Sequence, residues 1–308
     1  MAVATPVAPP AERRPSLLRR ALGDHPTAWG YVAPAVVVVL GLSLVPMVWS
    51  LLLSFQSSDL ITPGHWVGLR NYSRLAQDPH FRAAIWHTIL YTLLFVPLCV
   101  AGGLALALML DRRIRFIGLY RTLVFVPFVV SAAAQGVLFS FMLDPQFGIA
   151  NAVLDAVGLP RQQFLQDPGQ ALFVLVAIGL WSGVGFCVVV YLAALQDIPR
   201  DLVEAARIDG AKRWGVLWNV VLPQLRPVTV FLVVWQAIQA LQLFDLVFVT
   251  TKGGPLDATT TVVFFVWQEA FLFFKAGLGA AAAYILGVGL LVLGIVQVAI
   301  RRMRKRAA

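Results

Sequence analysis

Six stretches of this sequence stay apolar over the length of a bilayer-crossing helix, and that pattern limits the fold more than any motif does. They are roughly Ala28–Phe55, Ala84–Leu110, Gly118–Leu143, Gln170–Leu195, Val221–Thr250 and Gly277–Ile300. A spanning helix needs about 20 mostly apolar residues, and hydrocarbon offers the backbone no other hydrogen-bond partners. The pattern therefore predicts an all-α membrane protein with six transmembrane helices. Only 13% of residues are charged, against about a quarter in soluble domains. Pro34, Pro46, Pro97 and Pro127 fall inside the stretches and predict kinks, which a bundle tolerates because neighbours satisfy the freed groups. A seventh apolar run, Thr261–Phe274, is too short to span. It reads as interfacial or re-entrant.

Charge sets the orientation. Of 24 Lys and Arg residues, eighteen lie at the two ends or in the second and fourth connections, and six lie in the others. Cytoplasmic loops collect such residues, so both termini are expected in the cytoplasm. The net charge of +9 comes in short runs between apolar stretches; nucleic-acid binding needs a basic patch on a water-exposed fold. The first apolar run is too long for a signal peptide and no small-x-small site closes it. It reads as an uncleaved span, preceded by a disordered tail over 1–11 and by Pro15–Leu22 lying on the membrane surface.

Several chemistries are excluded. Cys99 and Cys187 sit inside apolar runs without metal-ligand spacing and read as small core residues. His25, His65, His80 and His87 are scattered, and a metal site needs converging ligands. Gly210 and Gly215 have the two-glycine spacing of a nucleotide loop, but Val216 stands where lysine is required. No acid–base or nucleophile pair is evident, so the chain is expected not to be an enzyme.

The longest polar interruption is the predicted inner loop Gln196–Leu222. Its sequence predicts two short helices. Pro199 fits the first turn of one, with Asp197 as a cap before it. Leu202, Ala205, Ala206 and Asp209 approach one another at helical spacing, and Gly210 suits a helix-ending turn. A second amphipathic piece runs Lys212–Val220, and Leu222–Pro223 opens the next span.

The pattern Glu204–Ala205–Ala206, three residues, Gly210, nine residues, Val220, one residue, Leu222–Pro223 resembles the "EAA" loop of binding-protein-dependent ABC importer permeases. The family usually has Ile at the position of Val220. Val67–Gly68–Leu69–Arg70–Asn71–Tyr72, Phe244–Asp245 and Gly253–Gly254–Pro255 resemble segments of the carbohydrate-uptake branch, of the maltose and glycerol-phosphate type. The resemblance covers about residues 28–300. It implies a type I importer permease bundle in the bacterial cytoplasmic membrane. Residues 1–27 would form a cytoplasmic tail, 28–300 the permease domain with a coupling loop at 196–222, and 301–308 a basic tail. It also implies partners: a second homologous permease, two ATP-binding subunits, an extracytoplasmic solute-binding protein and membrane lipid. ATP and Mg would sit on the ATPase partner, and this chain would bind no cofactor. Glu204, Ala205, Ala206, Asp209, Gly210, Leu222 and Pro223 would couple the chain to the ATPase. Gly253, Gly254 and Pro255 would lie near the binding protein.

A solute path is suggested by polar residues inside spans, which are costly there. Gln236, Gln239, Gln242 and Asp245 recur every three residues and form a slanted stripe on a continuous helix. Part of it would hydrogen-bond a polyhydroxylated solute, with Trp181 and Trp235 stacking on sugar faces. Interhelical hydrogen bonding is the competing role for the same residues. The expected cargo is a sugar or sugar-like polar solute, with glycerol phosphate or a glycerophosphodiester as the alternative. A stand-alone secondary transporter would need intramembrane ionisable residues, and Asp245 is the exception to their near-absence.

Overall fold

The structure is a computed structural model that describes the backbone of residues 26–59, 61–62, 64–111 and 115–307. The expectations for 1–11 and Pro15–Leu22 lie outside the described residues. Apart from a two-residue hairpin the fold is helical. Among the described residues four helices are long and apolar enough to cross a membrane, and a bent pair makes a fifth. The chain divides after Leu52 into two compact units.

The first unit holds α1 (Pro26–Val39), a π-helical turn (Leu40–Leu44) and most of α2 (Val45–Ser54). Helix α1 carries Pro34 within it. The π turn ends two residues before Pro46. Proline has no N–H to donate back into the preceding turn, and a wider turn accommodates the missing bond. The same device recurs further on, where the π turn Leu217–Val221 ends two residues before Pro223.

The second unit begins with a hairpin, β1 (Gln56–Ser57) pairing antiparallel with β2 (His65–Trp66). Helices α3 (Arg70–Gln77) and α4 (Pro79–Leu110) follow. Asn71 is buried and donates through Nδ2 to the Ser54 and Gln56 carbonyls, both at 2.9 Å. The Tyr72 hydroxyl lies 2.8 Å from Ser54 Oγ. The Val67–Tyr72 segment is thus a clamp on the end of α2. Nearby, the Thr62 and Ile61 N–H groups, with the Thr62 hydroxyl, hold the Asp59 carboxyl below its ordinary range. Asp78 accepts from His80 N and Phe81 N and caps α4, with Pro79 at the first position. That cap starts α4 five residues earlier than hydropathy suggested.

The predicted third span is broken. Helix α5 (Ile117–Val129) and α6 (Ala132–Met142) meet at 99°. Pro127 weakens the end of α5, Val130 is extended, and Ser131 is extended and caps α6 through Ala134 N. Hydropathy cannot see such a break, because both arms are equally apolar. Helix α7 (Ile149–Ala156) precedes α8 (Ala171–Gln196). Then come α9 (Arg200–Ile208), α10 (Arg213–Val216), the second π turn, α11 (Leu222–Leu241) and α12 (Asp245–Thr250).

The core of this unit packs α4, α8 and α11 around Tyr91, Phe95, Cys99, Leu175, Tyr191 and Leu232. Helices α4 and α8 approach closely because the contact is built from small residues. A Cβ on Gly103 would overlap the Cys187 side chain, and one on Gly183 would come within 2.9 Å of Phe95. Small residues let spanning helices close in where lipid supplies no hydrophobic drive between them. Both cysteines are buried, as the sequence suggests.

The short run 261–274, expected to be interfacial or re-entrant, is buried in its first part and exposed at Phe271, Leu272, Phe273 and Phe274. Helix α13 (Val262–Trp267) buries Val262, Phe264 and Phe265, and a π turn (Gln268–Leu272) buries Glu269. Thr88 Oγ1 accepts from Val262 N at 2.9 Å, which fixes the entry to α13. Leu75, Phe81, Ala84 and Phe265 form a second apolar cluster with α14. Helix α14 runs Ala276–Ala307, so the backbone is helical over residues 301–307 of the predicted tail.

Candidate functional site

Two regions gather most of the residues singled out by sequence. The first is the loop between α8 and α11. Helix α9 has no buried residue. Glu204, Ala205, Asp209 and Gly210 are exposed and Ala206 is half-buried. Ile208 is 86% exposed, so this amphipathic helix offers apolar surface that the described chain does not cover. Asp197 does not cap α9: it ends α8, and Pro199 holds the N-cap position without a side-chain bond. Only Ile198 lies between Asp197 and Pro199, and Asp197 belongs to the end of α8, its backbone N–H bonding the Leu195 carbonyl.

The glycine stop is realised. Gly210 has φ +85°, its N–H reaches the Arg207 carbonyl at 3.0 Å, and Ala211 N reaches the Ala206 carbonyl at 2.9 Å. These paired bonds are the Schellman arrangement, which favours glycine at the left-handed position. A Cβ there would meet nothing within 4 Å. Beyond it no loop separates the second short helix from the next span. Residues Arg213–Thr250 form one candidate span of 38 residues, with Leu222 and Pro223 half-buried inside it.

The second region is a cavity of about 410 Å³ between α4, the α5–α6 bend, α8 and α11–α12. Trp235, Gln236, Gln239, Gln242 and Asp245 line it. The stripe is not made by helical drift. Helix α11 ends at Leu241, Gln242 and Leu243 lie in the break, and Asp245 opens α12. Gln236 is buried, and its Nε2 donates to Cys99 Sγ (3.0 Å), Cys187 Sγ (3.2 Å) and the Gly183 carbonyl (3.2 Å). Trp235 is 41% exposed and stacks on Phe186 and Phe231. Trp181 is not among the lining residues; it stands 42% exposed, edge-on to Phe139.

Sequence reasoning missed Gln135 and Tyr91, which line the cavity beside Ser182. Gln135 was visible as a lone amide in an apolar run, a costly placement of the kind that marks a site. The Gly253–Pro255 segment lies apart from the cavity. Gly253 is buried at φ +84° against Thr260 and Phe264, and its carbonyl accepts Thr259 N at 3.0 Å. Leu256, just beyond, is 90% exposed. Among the described residues no cluster of three or more His, Cys, Asp or Glu side chains is placed to hold a metal.

An exposed helix–glycine turn joined to a polar cavity by one helix fits a transport subunit. The family model for the binding-protein-dependent transport system inner membrane component matches residues 99–305. This chain belongs to that family. Within it, the chain is 34% identical to the lactose transport system permease protein of Rhizobium radiobacter over 90% of its own length and 94% of the relative's. It is 33% identical to the sn-glycerol-3-phosphate transport system permease protein of Yersinia pseudotuberculosis, covering 89% and 93%. The fold also matches a chain of a bacterial ABC transporter involved in the import of the acidic polysaccharide alginate, with a TM-score of 0.83 and 23% identity, covering 93% and 98%. This family member is therefore an ABC importer permease, a membrane component with several apolar helices, whose family pairs it with a separate ATPase.

Proposed function

We propose that this permease carries a sugar or sugar-like polar solute across the bacterial cytoplasmic membrane, with six spans and both ends in the cytoplasm. The observation that carries this reading is the mechanical continuity between the exposed α9–Gly210 turn and α11, whose far end lines the polar cavity. Helix α9 docks on an ATP-binding subunit, with Glu204 as a charged acceptor and Ala205 and Ala206 permitting close approach. Asp209 and Gly210 end it, and Leu222–Pro223 seats the lever in the span. ATP and Mg belong to that partner. Closure of two such ATPases moves the docking helices of this chain and of a second, homologous permease. The bundle then switches between two arrangements biased by its ligands. A solute-binding protein delivers cargo near Gly253, Gly254 and Pro255. Relatives named for lactose and for sn-glycerol 3-phosphate support the cargo class, and the latter keep a phosphorylated solute as the second reading.

Gly210→Asp, which adds a charge at the docking turn, and Glu204→Lys, which reverses one, test the coupling role. Each is expected to lower binding-protein-stimulated ATP hydrolysis by the reconstituted complex at least tenfold, with the permease still present in the membrane by immunoblot. Unchanged hydrolysis by both variants removes α9 as the coupling element.

A further inference from the structure

The cavity is lined by two glutamines whose orientation is set from behind. Gln135 is buried, and its Nε2 donates to the Val130 carbonyl at 2.7 Å and the Pro127 carbonyl at 3.3 Å. These carbonyls are available because α5 ends there, and the last carbonyls of a helix have no partner within it. Rotating the amide would set Oε1 against the Val130 oxygen, acceptor to acceptor, so the network fixes which end faces out. Gln236 is held in the same sense, with its Nε2 spent on the Gly183 carbonyl and two sulfurs. Ser182 donates its proton to the Gly179 carbonyl at 3.2 Å. Among the described residues no hydrogen bond within the chain ends on Oε1 of Gln135 or of Gln236.

We infer that Gln135 and Gln236 are specificity-determining residues that present fixed carbonyl acceptors to the hydroxyl hydrogens of a neutral polyhydroxylated solute, and that this wall rejects phosphorylated and carboxylated ones. The inference rests on the cavity being the solute path and decides between the two cargo classes left open above. Hydroxyls are donors as well as acceptors, so they complete such a wall; a phosphate or carboxylate has no proton to give it. Recognition of phosphate draws on Arg or Lys. The described lining residues include neither, and their one formal charge is the Asp245 carboxylate, which repels an anion. Gln239 and Gln242 are the exposed amides that supply the remaining donors.

The test uses the full chain, co-purified with its partner subunits in nanodiscs, and reads tryptophan fluorescence. Trp235→Phe identifies the signal from the cavity. The probes are lactose, maltose and sucrose against sn-glycerol 3-phosphate and digalacturonate. At least one neutral sugar is expected to quench, and neither anion at a tenfold higher concentration. Gln135→Arg keeps N–H donors for the Pro127 and Val130 carbonyls but removes the acceptor. It is expected to weaken sugar binding at least tenfold at unchanged elution volume, and Gln236→Met is expected to do the same. An anion that binds wild type as tightly as any neutral sugar overturns the inference and leaves the path intact. So does sugar affinity that both variants leave unchanged. If no probe of either charge quenches, the path assignment falls along with the inference.

Discussion

Gly210 sits at φ +85° with open space where a side chain would go, so its requirement is conformational rather than steric. Left-handed backbone costs an ordinary L-residue about 1–2 kcal/mol, and asparagine tolerates it best. Gly210→Asn is therefore expected to retain much of the binding-protein-stimulated ATP hydrolysis, and Gly210→Val to lose most of it. Equal activity in the two would mean the turn's geometry is irrelevant. Gly103 is the opposite case, since a Cβ there would overlap the Cys187 side chain. Overpacking of this kind costs about 1–3 kcal/mol. Gly103→Ala should lower the thermal midpoint of the purified permease, and adding Cys187→Gly should restore part of it. Both glycines are plain in the sequence, but only Gly210 announces its role there, because a helix stop is local. The contact at Gly103 joins residues far apart in the chain.

Among the elements, the helix running unbroken from Arg213 to Leu241 carries the most consequence. A helix transmits displacement only if its turns are unbroken, and the π turn at Leu217–Val221 absorbs Pro223 without breaking it. Inserting Gly-Gly between Val216 and Leu217 is expected to leave ATPase binding in place while cutting binding-protein stimulation at least tenfold; a fully coupled insertion variant would refute the lever. Sequence separated the second short helix from the span because polar residues interrupt the apolar run. Hydrogen bonds continue through polar residues as readily as through apolar ones, so the interruption marks a change of surroundings, not of backbone. The broken third span has the reverse cause. Its two arms read as one segment because the turn at Val130–Ser131 contains no polar cluster.

For the whole molecule, the predicted topology puts Glu204 and Leu256 on opposite sides of the membrane. Both are exposed, Leu256 at 90%. Single substitutions Glu204→Cys and Leu256→Cys in intact cells should react differently with a membrane-impermeant maleimide: Leu256→Cys labelled, Glu204→Cys protected until the cells are opened. Labelling of both, or of Glu204→Cys alone, would defeat the six-span arrangement. Buried Cys99 and Cys187 are not expected to interfere.

Sequence alone determined the class of this protein, because apolar length, charge bias and a spaced loop motif are each written in neighbouring residues. It also named much of the cavity wall, since amides in an apolar run are costly wherever they point. Only the tertiary structure decided how those amides point. Gln135 and Gln236 are oriented by carbonyls at Val130 and Gly183, the latter on another helix. Trp181 left the wall and Gln135 joined it for the same reason: which face of a helix meets a cavity depends on where the neighbouring helices bend.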